Sequence, residues 1–275
     1  MGEAAVVGAG IFGCTIAKAL QVTGRSVTVF DDDQPLAGSK PSGCLMKPSW
    51  FSTMGRDIFD PALETLDDLY SISDVPFTVS TVNLAQKVHW VPRWEVLDTS
   101  NLTVIRKKVT HVVKQVQGAV ILCGDEIAEL FDLVVIAAGF WSNEIFGVHV
   151  HGLIGRQGVA YLGEGQVDNI IKPWAPYKQM VSFNETDTSF WIGDGTAINP
   201  ENWTDAREKE SQQRAEKLAQ GQSIRPVRGI RPYSKYGKPC VLEETNPGLW
   251  VATGGAKNGL IAAGWSAYEI CRRTN

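Results

Sequence analysis

The order of hydrophobic and polar positions predicts a chain that mixes strands and helices. Residues 3–8 form a short apolar run typical of a buried strand, and a helical pattern follows through Val22. Gly24 stops this helix, and the stretch "SVTVF" then predicts a second strand that ends at Asp31. The N-terminal part of the chain therefore predicts a β-α-β unit.

The middle of the chain contains predicted strands and two predicted helices. The stretch "DPALETLDDLY" predicts a helix with Asp60 as its N-cap and Pro61 at its first position. Residues 76–123 and 149–193 alternate as strands do, and residues 203–220 predict a polar helix. Between the two strand-rich ranges, "FDLVVIAAG" predicts a buried strand that ends in a glycine turn.

Two further strands and a final helix are predicted near the C-terminus. The strands are "SIRPVRGIR" and "LWVAT", and the helix is "NGLIAAGWSAYEICRR", which carries cationic residues at its C-terminal end. Strands that alternate with helices along a chain are typical of the α/β fold class.

Composition narrows the class of protein further. With 275 residues, 44% of them hydrophobic and 20% charged, the chain has enough apolar material for a folded core. A net charge of −4 argues against a surface that is basic overall and would bind nucleic acid, but it does not exclude a local basic patch. We find no signal peptide, no apolar run of transmembrane length and no metal-ligand spacing. The five cysteines lack CxxC pairing, so we expect reduced thiols and a cytoplasmic location.

The stretch "GAGIFG" matches GxGxxG, and its context makes the match specific. Gly8, Gly10 and Gly13 lie between a predicted strand and a predicted helix, and Asp31 follows Gly13 by 18 residues. Glycines let the backbone approach a pyrophosphate, which the helix N-terminus attracts, and Asp31 would accept hydrogen bonds from ribose hydroxyls. The pattern predicts dinucleotide binding without distinguishing FAD from NAD.

Several motifs together resemble the FAD-dependent D-amino acid oxidase superfamily, in particular its glycine oxidase and sarcosine oxidase branch. They are "VVGAGIFG…VTVFD", the loop "AGSKPSG", "RKKV", "VVIAAGFWS", "GIRP…GKP" and "PGLWVATGG…NG". The resemblance implies a Rossmann-type FAD-binding domain with a smaller inserted α+β substrate domain. It places the FAD-binding domain at 1–50, 95–147 and 225–275, and the substrate domain at 51–94 and 148–224.

The same resemblance, together with the glycine motif, implies non-covalent FAD and a set of cofactor-binding residues. These are Gly8, Gly10, Ile11, Phe12, Gly13, Asp31, Asp32, Ser39, Ser42, Gly43, Cys44, Val109, Ala138, Gly139, Trp141, Gly254, Gly255, Lys257, Asn258, Gly259 and Leu260.

Two cations are the candidate catalytic residues. An arginine among apolar residues needs an anion, and the resemblance implies that Arg231 pairs with the carboxylate of the substrate. An ion pair with Glu243 or Glu244 is the alternative. Lys257 stands near the start of the last helix, where a cation would stabilise reduced flavin or the carboxylate; similar glycine oxidases carry arginine at about this place. We expect Tyr177, Tyr233 and Trp174 as pocket walls, with core packing as the alternative.

The implied reaction is oxidation of a glycine-like amine by hydride transfer to flavin N5. O2 would take up the electrons, and the imine would hydrolyse to glyoxylate and an amine. The chain is shorter than typical family members, which implies an open flavin face and an N-substituted or larger substrate. Alternatives are a glycyl-modified nucleobase in DNA or RNA, a small-molecule glycine, sarcosine or D-amino acid oxidase, and a non-catalytic flavin-binding protein. Arg93, Arg106, Lys107 and Lys108 would form the basic patch for nucleic acid.

Overall fold

The computed structural model describes most of the chain. The described residues are 2–47, 55–79, 84–162, 169–174, 178–186, 189–220, 222, 224–234 and 238–274.

A six-stranded sheet forms the first half of the architecture. Its strands, numbered in chain order, are β1 (Glu3–Val7), β2 (Ser26–Phe30), β6 (Thr103–Ile105), β10 (Leu133–Ile136), β16 (Val241–Asn246) and β17 (Leu249–Thr253). They are arranged in the order β16-β17-β10-β1-β2-β6, and every pairing is parallel except that of β16 with β17. Parallel strands need crossover connections, and a helix at Ile11–Val22 connects β1 to β2 in this way.

Three helices cover one face of this sheet. They are α1 (Ile11–Val22), α2 (Arg56–Leu69) and α6 (Gly259–Thr274). Fully buried side chains such as Val6, Ile16 and Ile261 join the sheet and two of these helices in one apolar core. Close packing of α2 on α6 requires Gly264, because a β-carbon there would lie 2.6 Å from the carbonyl oxygen of Ala62.

A small antiparallel sheet covers the opposite face. It consists of β7 (His111–Lys114), β8 (Ala119–Cys123) and β9 (Glu126–Phe131). Its buried Ile121 and Phe131 pack with Val134 and Ile136 of β10 in a second core. The central strands β1 and β10 are therefore covered on both faces, which explains why their buried positions are all apolar.

An eight-stranded sheet forms the second half. Its strands are β3 (Leu45–Met46), β4 (Ser73–Val79), β5 (Leu84–Trp90), β11 (His151–Leu162), β12 (Ile170–Trp174), β13 (Lys178–Asn184), β14 (Ser189–Gly193) and β15 (Arg225–Tyr233), in the order β15-β11-β14-β13-β12-β4-β5-β3. Helix α5 (Asp205–Leu218) packs on one face through a core that contains Phe190, Ile192 and Ala215. Two short helices, α3 (Arg93–Val96) and α4 (Ser142–Phe146), lie in the connections β5–β6 and β10–β11.

The predicted α/β class with a parallel sheet is confirmed, but the predicted start of α2 is wrong. The helix begins at Arg56, after Gly55, and Pro61 lies inside it rather than at its first position. The extra turn at the start brings Ile58 and Phe59 against the core, and this burial outweighs the backbone hydrogen bond that Pro61 cannot make. No helix within the described ranges is long and apolar enough to cross a membrane.

Candidate active site

The turn between β1 and α1 is as tight as its glycine pattern predicts. Gly8 has a φ of 103°, and a β-carbon on Gly13 would lie 1.7 Å from the carbonyl oxygen of Gly8. Gly10 is the N-cap of α1, and a β-carbon there would lie 2.8 Å from Oγ of Ser39. The amide of Ile11 donates to Oγ of Ser39 at 2.9 Å, so the glycine turn and the serine hydroxyl together form a cradle at the N-terminus of α1. Such a cradle fits a pyrophosphate.

Asp31 lies beside this turn, at the end of β2. Its Oδ1 accepts a hydrogen bond of 2.9 Å from the amide of Ala9, and its Oδ2 accepts one of 3.0 Å from the amide of Asp33. The guanidinium of Arg106 also donates to Oδ2. The carboxylate is thus held in a fixed position at the turn. The ion pair with Arg106 was not predicted, since nothing in "RKKV" indicates which of its cations turns toward β2.

The loop of residues 37–44 connects the glycine turn to the larger sheet. A β-carbon on Gly229 of β15 would lie 2.8 Å from the carbonyl oxygen of Ala37, so loop and strand are in direct contact. The indole of Trp191 donates to the carbonyl oxygen of Pro41 at 3.3 Å. Arg93 donates to the carbonyl oxygen of Lys40 at 2.9 Å and pairs with Glu185 at 3.4 Å. These contacts hold the two large sheets around one space.

That space is a cavity of about 970 Å³, at the upper end of the size range of cofactor sites. Most of the predicted cofactor residues are in its wall: Gly8, Gly10, Ile11, Phe12, Asp31, Asp32, Ser39, Ser42, Gly43, Cys44, Val109, Ala138, Gly139, Trp141, Gly255, Lys257, Gly259 and Leu260. Gly13, Gly254 and Asn258 do not line the cavity. Gly13 and Gly254 belong to the two glycine turns whose neighbouring residues do line it. The arrangement brings residues from both ends and the middle of the chain together.

Arg231 is one of the cations that line this cavity. It is half-buried by surface area but almost surrounded by protein, and this desolvation lowers its pKa to about 10. Within the described part of the chain it makes no ion pair, and the alternative partners Glu243 and Glu244 are exposed. A guanidinium in such a position keeps its charge, so an anion in the cavity would relieve the cost of desolvation.

Lys257 is an exposed residue of the cavity wall, in a turn just before α6. The turn is bound to β15 by the amide of Ser234, which donates to the carbonyl oxygen of Gly254 at 3.1 Å. A β-carbon on Gly255 would lie 3.0 Å from the ring of Phe12, so the second turn packs on the first. Both helix N-termini therefore border the same cavity.

Of the three predicted pocket residues, the structure describes only the side chain of Tyr233. Tyr233 is outside the described cavity wall and its ring contacts that of His151, with ring centroids 5.2 Å apart and the planes tilted by 31°. Its role in substrate binding stays a prediction. Tyr177 and the side chain of Trp174 lie outside the described residues.

The sequence analysis did not predict several residues of the cavity wall. Trp191 and Gly193 come from the end of β14, and Gly195 and Ala197 follow it directly. They reach the cavity because β14 pairs with β11, which pairs with β15. No local pattern signals this approach, since it depends on long-range strand order.

Comparisons with known proteins agree with this geometry. The sequence profile described as FAD dependent oxidoreductase (DAO) matches residues 94–273, about two thirds of the chain. The chain belongs to the FAD dependent oxidoreductase family. A second profile, the NAD(P)-binding Rossmann-like domain, matches residues 6–43 around the glycine turn. FAD is therefore the cofactor, and this family member is an oxidoreductase.

Solved structures with the same fold span nearly the whole chain. Glycine oxidase from Bacillus cereus ATCC 14579 has a TM-score of 0.71 at 16% identity, covering 100% of this chain and 96% of that one. Glycine oxidase from Geobacillus kaustophilus has a TM-score of 0.70 at 16% identity, with coverages of 98% and 93%. Iminodiacetate oxidase from Chelativorans sp. BNC1 has a TM-score of 0.70 at 16% identity, with coverages of 97% and 93%. Among curated proteins, none matches the chain.

We expect the FAD to be held without a covalent bond. Cys44 lies in the cavity wall, but it is only 3% exposed, and burial raises the pKa of its thiol to about 11. Because the thiolate is the nucleophile, this thiol is unreactive at neutral pH. Acid precipitation should therefore leave the yellow colour in the supernatant. Colour that stays in the pellet for the wild type, but is released from a Cys44→Ser variant, would contradict this expectation.

Proposed function

We propose that this protein is an oxidase that cleaves the C–N bond of a glycine-like, N-substituted amine and releases glyoxylate and an amine. The observation that carries the proposal is the guanidinium of Arg231 in the cavity wall, which has no acidic partner among the described residues. Its planar fork suits a carboxylate, which it would bind through two parallel hydrogen bonds. A carboxylate on the substrate would thus fix the position of the neighbouring α-carbon.

The chemistry follows from that position. Bound FAD supplies an acceptor for the hydride that leaves the α-carbon of the substrate. As the C–H bond breaks, the lone pair of the neutral amine forms the C=N bond, so Arg231 needs only to hold the carboxylate. Water then adds to the imine and gives glyoxylate and the free amine. O2 as the final electron acceptor is part of this proposal.

Names of the solved neighbours support this substrate class. The neighbours include two glycine oxidases and an iminodiacetate oxidase. Iminodiacetate is itself a glycine with a carboxymethyl group on its nitrogen. Glycine and an N-substituted glycine share the carboxylate, the α-carbon and the amine that the proposed site requires.

The division of the chain into a cofactor domain and a substrate domain is also a proposal. The six-stranded sheet uses strands from 1–50, 95–147 and 225–275 alone, which supports the division. Strands β3 and β15 fall within the same ranges but pair in the larger sheet. These two strands would carry the connection between the domains, and β15 would thereby present Arg231 at their boundary.

Three of the four basic side chains that would have favoured a nucleic-acid substrate already have acidic partners, and Lys108 is the exception among the described residues. Arg93 pairs with Glu185, and Lys107 pairs with Glu126 at 2.7 Å. Arg106 pairs with Asp31. Side chains that already have acidic partners are poorly placed to contact phosphates. We therefore limit the proposal to small N-substituted glycines.

The test is anaerobic reduction of the enzyme-bound flavin by a panel of amines. N-benzylglycine, sarcosine, glycine and D-alanine should be compared with N-methylbenzylamine, which keeps the amine and the ring but lacks the carboxylate. We expect the N-substituted glycines to bleach the flavin fastest and N-methylbenzylamine to fail. Fastest bleaching by the amine without a carboxylate would refute the proposal, and fastest bleaching by D-alanine would indicate a D-amino acid oxidase.

Lys257 provides a second prediction. Its exposed cation borders the cavity, so Lys257→Met should slow anaerobic flavin reduction by up to about fivefold, the scale of an exposed charge interaction. Lys209→Met, on the exposed side of α5, is the matched control and should not change the rate. Equal rates in the two variants would show that Lys257 has no role in the reaction.

A further inference from the structure

A buried ion pair lies directly behind one wall of the cavity. The carboxylate of Asp194 is fully buried, and Arg214 of α5 donates to it at 3.3 Å. Its Oδ2 also accepts hydrogen bonds from the hydroxyls of Thr196 at 2.5 Å and Ser211 at 2.6 Å. Its Oδ1 accepts from the amide of Thr196 at 2.9 Å. Such a network fixes the backbone around Asp194, because a partner lost at any point leaves a buried polar group unsatisfied.

The residues that alternate with this network belong to the cavity wall. Gly193, Gly195 and Ala197 line the cavity, whereas Asp194 and Thr196 turn away from it toward α5. Gly195 has a φ of 74°, a conformation that favours glycine. We call these three wall residues the small-residue wall. Arg214 also donates to the hydroxyl of Thr196 at 2.7 Å, so helix α5 holds the wall from behind at two points.

The small-residue wall faces the same space as Arg231. The amide of Ile198 donates to the carbonyl oxygen of Ile154 in β11 at 2.8 Å, and Ile154 pairs with Ile230 in β15. Residues 198 and 230 are therefore two strand spacings apart, about 10 Å. Ala197 and Arg231, their chain neighbours, both line the cavity. Arg231 and the small-residue wall therefore line the same cavity from neighbouring segments.

We propose that Asp194 and Arg214 are positioning residues that hold the small-residue wall as the subsite for the nitrogen substituent of the substrate. The inference rests on the proposed function, in which Arg231 holds the carboxylate. The wall offers no charge, because Asp194 points away and is neutralised by Arg214. With Trp191 and Val181 beside it in the cavity, the subsite suits an uncharged alkyl or arylalkyl group.

The first experiment measures binding to the holoenzyme, without turnover. Methoxyacetate and benzyloxyacetate replace the glycine nitrogen with oxygen, keep the carboxylate and differ only in the substituent. Their dissociation constants are read from the change in flavin absorption. Ala197→Leu should weaken benzyloxyacetate at least about tenfold, the discrimination that a methylene or two provides in an apolar pocket, and change methoxyacetate less than twofold. Ala206→Leu, exposed on α5, is the matched control.

The second experiment tests the ion pair. Arg214→Met should weaken benzyloxyacetate about tenfold and leave methoxyacetate nearly unchanged, whereas Arg214→Lys should keep the wild-type ratio. Arg207→Met is the control, because Arg207 pairs with Glu210 on the same helix but does not contact Asp194. A merely structural role for Arg214 would lower the thermal stability without changing the ratio of the two dissociation constants.

The outcomes separate this inference from the proposed function. If both ligands weaken equally in Ala197→Leu and in Arg214→Met, the subsite inference is wrong, whatever the enzyme oxidises. If the ligands separate as expected but no glycine derivative reduces the flavin, the subsite stands and the proposed reaction fails.

Discussion

Arg231→Ala should lower kcat/KM for an N-substituted glycine by about 30-fold to several-thousand-fold while the protein keeps its FAD. The guanidinium is unpaired in the cavity, so its removal takes away the proposed partner of the substrate carboxylate. Removing one member of a buried charge pair costs about 2–5 kcal/mol, and this range converts to the stated loss in rate. Steady-state kinetics with the purified holoenzyme measure the effect.

The same strand supplies a matched control. Arg228 lies on the opposite face of β15, is exposed and pairs with Glu208 of α5 at 3.1 Å. Arg228→Ala should therefore keep kcat/KM within about twofold, since an exposed ion pair contributes little. Arg231→Lys should fall between the wild type and Arg231→Ala, because a lysine keeps the charge but lacks the planar fork. A near-normal kcat/KM in Arg231→Ala would remove the basis of the proposed function.

Gly13→Ala should yield a protein without FAD and with a reduced free energy of unfolding. The new β-carbon would lie 1.7 Å from the carbonyl oxygen of Gly8, so the backbone of the turn must move. Excess atoms in a tightly packed site cost about 1–3 kcal/mol or more, and the displaced amides no longer match a pyrophosphate. Flavin absorbance per protein and thermal unfolding of the purified variant measure the two effects.

Gly124→Ala distinguishes loss of the site from ordinary backbone strain. Gly124 has a φ of 66°, and a β-carbon there would meet nothing within 4 Å. This variant should lose about 1–2 kcal/mol of stability from the left-handed conformation and keep its FAD. Full flavin content in Gly13→Ala would show that the turn tolerates a side chain and that the cofactor contacts are elsewhere.

Local patterns predicted the tight glycine turn and the position of Arg231 in the cavity wall, while the roles of these residues in binding stay predictions. Gly8, Gly10 and Gly13 were found because a tight strand-to-helix turn permits few other residues. Arg231 was found because a cation among apolar residues is costly without an anion. Its unpaired state in the structure agrees with that reasoning, although its partner stays a proposal.

The remaining parts depend on strand order and register, which periodicity does not encode. Trp191 and Ala197 reach the cavity only because β11 lies between their segment and β15. The pairing of Arg106 with Asp31 likewise follows from the parallel contact of β6 with β2. The prediction that α2 starts at Pro61 was wrong for a different reason. Burial of Ile58 and Phe59 against the core outweighed the local preference of proline for the first position of a helix.

The two glycine turns that border the cavity have a consequence for biosynthesis. The first turn contains residues 8–13 and the second residues 254–260, so a ribosome that adds about 5–20 residues per second completes them roughly 10–50 s apart. Until then β10 lacks its neighbour β17 and presents an unpaired edge. A complete cofactor cradle therefore exists only after the second turn has been synthesised, and until then the open edge of β10 can pair with other chains.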